Sequence, residues 1–402
     1  MPDVTITPVE TGRQQRRFLQ LPWQLYRDTP QWVPPLWHTA KRQLGFTRHP
    51  FYERARSRSF VASRDGTDIG RISAIVNDAH NERYHDRLGF FGFFECADDS
   101  EAARTLFDAA RAWLAAEGMT AIRGPANPSL NYECGLLVDG FHLPPQFMMT
   151  YNHLWYERLI LENGFRPVQD LFAFWGTLDM LATLDPKLAA MNESVVERFG
   201  VTIRRLDTFR FAEEVATYID IYNRSMVATW GFVPLSQAEA AAIAADLRHL
   251  IVPDLALFAE IDRRPIGACF CLLDYNPRIK AINGRLFPFG FLRLLANRRA
   301  ITSMRAMTTN VIPEYQAWGI GLALMAALVP ALQAWGMREV EFSWVLESNH
   351  LSQRTLERGG ALKTKTYRLY QTEHVKLLER AAHRLEGGKS LLVEKLPRLC
   401  VA

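Results

Sequence analysis

Alternating apolar and polar positions predict two β-hairpins of similar layout in distant parts of the chain. The first covers residues 60–76 and the second covers residues 257–273. In each, two runs rich in β-branched and aromatic residues flank a short polar turn, the usual signature of a hairpin. Gly70 and Gly267 occupy the same place in the two patterns. This indicates that the chain contains a repeated unit.

Two further segments repeat in the same order downstream of the hairpins. The helical run 109–118 and its counterpart 327–336 each contain a Trp and end in Gly before a predicted strand. An Asn-His-Leu triplet then precedes a helical segment at Asn152 and again at Asn349. Three matching elements in one order predict a duplicated α/β unit. We expect domains at residues 1–178 and 179–375, followed by a tail at 376–402.

The second half shows the clearer periodicity. A capping box that begins at Ser236 and ends at Glu239 supports the start of its second helix. Helices that alternate with strands beyond a hairpin predict a mixed α/β sheet covered on both faces. The predicted elements are strand 201–206, helices 210–226 and 236–250, hairpin 255–273, strand 302–311, helix 320–335, strand 339–346, helix 350–358 and strand 365–371.

A glycine-rich turn joins strand 302–311 to helix 320–335. Gly319 and Gly321 allow a tight bend with inward N–H groups, and the helix adds the positive end of its dipole. Such a turn suits an anionic pyrophosphate, although a plain helix start is the alternative. The candidate cofactor-binding residues of this turn, the phosphate turn, are Asn310, Val311, Gln316, Ala317, Trp318, Gly319, Ile320, Gly321 and Leu322.

The corresponding junction in the first half has no glycine turn. It carries Asp98, Asp99 and Glu101 instead. These carboxylates stabilise a helix N-terminus, but they would repel a pyrophosphate. We therefore expect one phosphate-binding site, in the second half, and a degenerate first half that supports the fold or the acceptor pocket.

An insertion at residues 124–141 is found in the first half alone. It is rich in turn formers and hydrogen-bonding side chains, which suits either a folded surface loop or an acceptor site in a cleft between the halves. In the second interpretation, the residues that orient an amine or hydroxyl group are Asn127, Asn131, Tyr132 and Glu133.

The strand at 339–346 supplies candidates for proton transfer. Alternation places Glu341 and Ser343 on one face, and an acid on a central strand needs either a role or a partner. Glu341 is thus a general base or one member of an ion pair, and the same two roles are open to Glu347 at the strand end. A Ser or Tyr can protonate a departing thiolate.

Composition narrows the class of protein. At 402 residues, the chain is long enough for two cores. The net charge of +4 suits an acidic ligand or membrane surface and is too small to argue for nucleic acid. Its five cysteines lack metal-ligand spacing, so no metal is expected. The first residues lack a signal pattern, and no apolar run approaches a membrane span, which predicts a cytoplasmic protein.

The phosphate turn and its surrounding elements resemble the coenzyme A loop and fold order of the GNAT acyltransferases. The resemblance implies a tandem GNAT fold that binds acyl-CoA as co-substrate. It also implies cofactor contacts from Asn349, near the pantetheine or departing sulfur, and from Gln353, whereas a helix N-cap is the alternative for Asn349. Many such enzymes use a Tyr in the following helix as general acid. Residues 351–358 contain none, so Tyr367 and Tyr370 are substitutes, with core packing as the alternative.

A closer resemblance, to the YghO-like tandem GNAT family, covers nearly the whole chain. It implies fatty acyl transfer to the amine of a sphingoid base or its 3-keto precursor, as in bacterial ceramide synthases, and adds Trp230 to the substrate-binding candidates. The segments that carry this resemblance are Gly124-Pro125-Ala126-Asn127-Pro128, Asn131-Tyr132-Glu133, Trp230-Gly231-Phe232-Val233-Pro234-Leu235, Asn283-Gly284-Arg285-Leu286-Phe287-Pro288, Glu341-Phe342-Ser343-Trp344 and Lys365-Thr366-Tyr367-Arg368.

Two basic, apolar stretches raise the question of a membrane surface. Residues 286–299 and 389–399 could dock on the inner face of the cytoplasmic membrane or pack against the sheet. Two other functions remain open: a small-molecule N-acetyltransferase that uses acetyl-CoA and a non-catalytic acyl-CoA-binding regulator. Transferases that use aminoacyl-tRNA are disfavoured because the phosphate turn is intact.

Overall fold

The structure, a computed structural model, describes residues 3–178, 180 and 195–373. The predicted tail, with its basic stretch at 389–399, lies outside the described residues. The limits of the predicted domains at 178 and 375 also border undescribed segments, so they stay predictions.

The first half follows the hairpin and helix pattern that its periodicity predicts. Its hairpin and the helix at Ser100–Ala116 are longer than predicted, and the Asp99 side chain caps that helix by accepting the Ala102 N–H. The elements are β1 (Thr5–Pro8), α1 (Gly12–Leu25), α2 (Trp37–Gln43), β2 (Ala55–Arg64), β3 (Thr67–Asn77), α3 (Asp78–Tyr84), β4 (Leu88–Cys96), α4 (Ser100–Ala116), β5 (Ala121–Gly124), β6 (Ala126–Asn127), β7 (Glu133–Cys134), β8 (Leu136–Asp139), α5 (Trp155–Glu162) and β9 (Arg166–Thr177).

The second half matches its predicted order closely. The capping box is formed, because Ser236 accepts the Glu239 N–H while the Glu239 side chain bonds back to Ser236. Two short helices between β12 and β13 were not predicted. The elements are β10 (Thr202–Arg205), α6 (Phe211–Ser225), α7 (Gln237–Leu247), β11 (Ala256–Ile261), β12 (Arg264–Leu273), α8 (Asn276–Ala281), α9 (Gly290–Leu295), β13 (Ser303–Val311), α10 (Ile320–Trp335), β14 (Glu339–Leu346), α11 (His350–Arg358) and β15 (Leu362–Glu373).

One mixed sheet runs through both halves, and the halves exchange their last strands. Its order is β1-β2-β3-β4-β5-β15-β9-β14-β13-β12-β11-β10, with β8 also paired to β15. Strand β9 of the first half pairs with β14 of the second, and β15 of the second pairs with β5 of the first. The two exchanged strands also pair with each other at the centre. Each repeat therefore completes its sheet with a strand from the other.

Separate apolar cores form on the two halves. In the first half, α4 and α5 pack on the sheet around Phe91, Phe107 and Phe165. In the second, α10 packs on β11, β12 and β13, with Ile320 and Leu324 fully buried. Between them, aromatic side chains of the exchanged strand join Val345 in a smaller cluster. Between the two cores, neighbouring strands of the sheet separate and leave room for a binding site.

Among the helices that the structure describes, none has the length and apolar character needed to cross a bilayer.

Candidate active site

The phosphate turn lies between β13 and α10, as predicted. A short 3-10 helix spans Pro313–Trp318, and Gly319 follows at φ +77°, which is the left-handed region that favours glycine. Helix α10 then begins at Ile320. The first N–H groups of a helix have no partner within it, so this turn presents donors to an anion.

The side chains of the turn fix its shape. The Leu322 N–H is already donated to the Gly319 carbonyl at 3.0 Å, so the candidate donors to an anion are the N–H groups of Gly319, Ile320 and Gly321. Gln316 donates its amide to the Val311 carbonyl at 3.0 Å, and buried Asn310 donates to the Ser225 hydroxyl at 2.8 Å. Trp318 packs against Phe199 with ring centroids 4.2 Å apart. Ile320 is buried, Leu322 is half-buried and Ala317 is exposed. The geometry fits a pyrophosphate held by main-chain groups.

The equivalent turn in the first half is closed to anions. The Asp99 carboxylate already accepts the Ala102 N–H at 3.0 Å. Arg64 pairs with Asp99 and Glu101, and Arg158 pairs with Asp98. The positive helix end is therefore neutralised by the chain itself.

The gap between the parallel strands of the first half is also filled. Strands β4 and β5 pair only over Leu88–Phe90 and Ala121–Arg123. Beyond these residues, the insertion enters as β6, where the Phe93 N–H donates to the Asn127 side-chain oxygen at 2.6 Å. A Cβ atom on Gly92 would lie 1.8 Å from the Ala126 carbonyl oxygen, so glycine is required there. The insertion thus fills the gap between β4 and β5 in the first half.

The same gap in the second half stays open and forms part of a cavity. Strands β13 and β14 pair only over Ser303–Ala306 and Glu339–Phe342. Beyond these residues, β13 stays paired with β12, while β14 stays paired with β9. Thr308 on β13 and Trp344 on β14 face the space between them. Since β13 continues directly into the phosphate turn, the turn and the cavity share one strand.

The cavity has a volume of about 490 Å³ and receives walls from both halves. The wall is mainly apolar, with Val33 from the first half and Ile219, Ile243 and Phe270 from the second. Large apolar pockets with a few polar groups are the usual form of small-molecule sites. This one suits an aliphatic chain.

All five predicted acceptor-binding residues line this cavity: Asn127, Asn131, Tyr132, Glu133 and Trp230. Four of them already have partners.

Asn127 accepts the bond from the Phe93 N–H, and Asn131 donates to the Val233 carbonyl at 2.7 Å. Tyr132 donates to Glu239 at 3.2 Å, and the Trp230 ring lies under the Arg123 guanidinium at 4.6 Å. These contacts show that the insertion is held in place by the second half.

Glu133 differs from its neighbours. None of the hydrogen bonds and ion pairs between described residues engages its carboxylate, although Glu133 lines the cavity. Burial raises the pKa of the Glu133 carboxyl above its usual range, and the Arg305 guanidinium opposes part of that rise. A carboxylate in these surroundings can accept a proton from a bound ligand.

Glu341 is a member of an ion pair, which is one of the two roles that its position on the strand predicts. It is 2% exposed, and its carboxylate lies 2.6 Å from the Lys365 ammonium. Ser343 donates to the other Glu341 oxygen at 2.9 Å and accepts from Arg305 at 2.9 Å. Neither Glu341 nor Ser343 lines the cavity. The geometry gives both a structural role and leaves their catalytic roles as predictions.

The remaining predicted catalytic residues are spread around the end of β14. Tyr367 is fully buried and its hydroxyl has no partner within the described part of the chain. Glu347 and Asn349 are exposed, and Asn349 caps α11 by accepting the Ser352 N–H at 3.1 Å. Gln353 donates to the Leu346 and Glu347 carbonyls. None of these four side chains lines the cavity.

Three buried polar residues near the cavity were missed by the sequence analysis. Arg305 lines the cavity and donates to the Phe147 and Met148 carbonyls. Glu95 accepts from Tyr26 and Tyr156 at 2.7 and 2.8 Å. Burial raises the pKa of Asp274 to about 7. Arg305 had a detectable signal, because it is the one charged residue in the predicted strand 302–311.

Comparison with known proteins agrees with the tandem GNAT fold. No protein-family model matches the chain. The chain is 35% identical over 364 residues to protein YghO of Escherichia coli, covering 89% of this chain and 92% of that one. The chain belongs to the YghO-like family.

A second relative in this family is the bacterial ceramide synthase of Caulobacter vibrioides, 34% identical over 92% of this chain and 97% of the other.

Solved structures share the fold of this YghO-like chain. A tandem GNAT protein from the clavulanic acid biosynthesis pathway matches with a TM-score of 0.56 and 13% identity, over 92% of this chain and 99% of that one. A GCN5-related N-acetyltransferase from Sphaerobacter thermophilus matches with a TM-score of 0.51 and 13% identity, over 92% and 96%. The predicted family and fold class are confirmed.

The buried ion pair can be tested by stability. Glu341→Gln leaves the Lys365 ammonium buried without a counter-charge, so we expect a loss of about 3–5 kcal/mol in the free energy of unfolding, measured with urea. Glu339→Gln is the matched control at the exposed first residue of the same strand, with an expected change within about 0.5 kcal/mol. Equal stability of the two variants would remove the structural role of Glu341.

The phosphate turn can be tested with two alanine variants. Gly319 and Gly336 both have positive φ, so each alanine should destabilise the fold by about 1–2 kcal/mol. Only Gly319→Ala adds a methyl group to the turn, whereas a Cβ at Gly336 would contact nothing. We expect calorimetry to show weaker coenzyme A binding by Gly319→Ala alone. Equal affinities in both variants would contradict the assignment.

Proposed function

We propose that this protein is an acyl-CoA-dependent N-acyltransferase that transfers a fatty acyl group to the amine of a sphingoid base or its 3-keto precursor. The family and the fold support the class of N-acyltransferase. The long acyl donor and the lipid amine are the finer part of the proposal. Acyl-CoA serves as co-substrate, with its pyrophosphate on the phosphate turn.

The observation that carries the proposal is the apolar cavity where β13 and β14 separate. An acyl chain and a sphingoid chain are aliphatic, and the cavity wall offers mostly aliphatic and aromatic side chains. Glu133 lines that wall, and no other described residue pairs with its carboxylate. One named relative, the ceramide synthase of Caulobacter vibrioides, agrees with a lipid amine.

Glu133 is the residue that we assign as proton acceptor. An amine attacks a thioester only when it is neutral, so an incoming ammonium first gives one proton to Glu133. The nitrogen–carbon bond then forms and the carbon–sulfur bond breaks. The nitrogen loses its second proton as the amide forms, and the departing thiolate takes it up.

Arg305 helps to hold this carboxylate in its charged form. Burial raises the Glu133 pKa and the Arg305 guanidinium opposes part of that rise, while hydrogen bonds from Arg305 to Ser343, Phe147 and Met148 fix its position. Lys365 neutralises Glu341 nearby. The two cations therefore leave Glu133 as the carboxylate that faces a ligand without an ion-pair partner among the described residues.

A small-molecule N-acetyltransferase is the second candidate function. The hydrogen-bonding groups of the insertion favour it, since Asn127, Asn131 and Tyr132 line the same cavity. These side chains already form hydrogen bonds with other protein groups, which makes them less suited to bind a polar acceptor.

Substrate class is tested with purified protein, acyl-CoAs from acetyl to octadecanoyl, and a panel of amines that includes sphinganine, its 3-keto precursor and polar amines. We expect free thiol and a product of amide mass only when a long acyl group meets a lipid amine. Turnover restricted to acetyl-CoA and polar amines would support the second candidate. Binding of acyl-CoA without thiol release from any amine would identify a regulator.

The role of Glu133 is tested by its pH profile. With Glu133 deprotonated for activity, kcat/KM should rise with pH through the raised pKa of this carboxyl and level off above it. Glu133→Gln should lower kcat by about 10²–10⁴-fold and remove that rise.

Glu95→Gln is the matched control, because Glu95 is another cavity carboxyl and is held by two tyrosines. It should keep the rise with pH. If Glu95→Gln loses the rise and Glu133→Gln keeps it, the proton acceptor has been misassigned.

The proposal includes a cytoplasmic location with contact to the inner face of the cytoplasmic membrane. A lipid amine resides in a bilayer, so its enzyme gains from working at that surface. The basic, apolar stretch at residues 286–299 is the part of the described chain that we connect with this contact.

A further inference from the structure

The connection between β12 and β13 carries a cluster of exposed apolar side chains. Phe287 is 78% exposed, Phe289 is 72% exposed and Leu292 is 55% exposed, and Phe291 lies beside them. We call residues 287–292 the apolar projection. Single exposed apolar residues are common, but four within six positions mark an interaction surface.

The residues around the apolar projection are positively charged. No Asp or Glu occurs from residue 275 to residue 313. Six Lys and Arg side chains lie in and around α8 and α9, and in the described part of the chain none of them forms an ion pair. They are Arg278, Lys280, Arg285, Arg293, Arg298 and Arg299.

The hydrogen bonds of these basic residues leave their charge uncompensated. Arg278 donates to the Leu294 carbonyl, Arg298 to the His249 carbonyl and Arg299 to the Ala334 carbonyl. Backbone carbonyls orient a guanidinium without neutralising it. The surface around the apolar projection is therefore complementary to anionic headgroups.

The apolar projection is connected to the cavity through two short segments. Helix α8 leads to it, and Ile279 on that helix lines the cavity. The Gly284 carbonyl accepts the Trp37 N–H at 3.0 Å, and residues 32–36 just before Trp37 also line the cavity. A lipid that enters beside the projection would meet the cavity wall.

We propose that the apolar projection docks on an anionic phospholipid bilayer. The phenylalanine and leucine side chains enter the interface, and the surrounding Lys and Arg side chains contact lipid phosphates. Trp23 and Trp37 lie next to this surface, with Trp23 donating to Asn283 at 2.7 Å, and tryptophan favours the headgroup level. The docking gives the membrane contact of the proposed function its surface and its lipid, and it rests on the proposed reaction only for its purpose, which is to deliver the lipid amine.

The test is flotation of the full chain with vesicles of phosphatidylcholine and phosphatidylglycerol, in the absence of any acyl-CoA. We expect flotation with the mixed vesicles, less with pure phosphatidylcholine, and less again at high salt. Replacing Phe287, Phe289 and Leu292 together by Ser should lower the partition coefficient by at least about tenfold, because three apolar side chains no longer leave water. Arg285→Glu with Arg293→Glu should remove the preference for anionic vesicles.

Phe209→Ser is the matched control, since Phe209 is 99% exposed and lies in another element, the short 3-10 helix Thr208–Arg210 before α6. It should float as the wild type does, and thermal unfolding should confirm that all variants fold. Wild-type protein that stays in solution, or a triple Ser variant that floats unchanged, would overturn the docking. So would light scattering that shows a dimer lost in the triple Ser variant without any vesicle binding.

Coenzyme A binding, measured by calorimetry without vesicles, should be unaffected in these variants. Flotation is measured without turnover. A failure of docking is thus distinguishable from a failure of the proposed reaction.

Discussion

The exchange of strands β9 and β15 is the constraint on which the rest of the structure depends. Each strand completes the sheet of the other half, so the two repeats form one continuous layer. The Lys365–Glu341 ion pair joins β15 to β14 across β9, which lies between them. Removing either partner would leave the other charge buried without a counter-charge, which strongly destabilises the fold. The halves are therefore held in a fixed relation, with the cavity between them.

Duplication has given the two halves different tasks through small chemical changes. Both contain a strand, a turn and a helix in the same order. In the first half, Asp99 and Arg64 satisfy the helix end, and the insertion fills the gap between β4 and β5. In the second half, Gly319 leaves the helix end accessible and the gap remains open. The insertion that closes one gap also supplies Glu133 to the cavity beside the other.

Local features of the sequence were enough to predict most of the fold. Helix and strand periods, the capping box at Ser236 and the glycine turn depend on residues close in the chain. The strand exchange could not be predicted this way, because β9 and β14 are separated by more than 150 positions and their pairing has no local signal.

The same distinction between local and long-range features applies to the candidate site. Sequence reasoning placed Asn127, Asn131, Tyr132 and Glu133 in a cleft because hydrogen-bonding groups were clustered in one insertion. The family resemblance added Trp230, and all five residues line the cavity. It could not decide between the two roles of Glu341, since Lys365 comes from the exchanged strand. It assigned Glu133 to binding, because the isolation of its carboxylate depends on burial and on Arg305.

The central claim is that one acyl-CoA binds per chain, in the second half, with its acyl group in the cavity. The most direct measurement is a crystal structure with a thioether analogue of a long-chain acyl-CoA. We expect its pyrophosphate on the backbone of Gln316–Gly321 and its alkyl chain between β13 and β14. A pyrophosphate at the Asp98–Ser100 turn of the first half, or an alkyl chain that lies outside the cavity, would contradict the account.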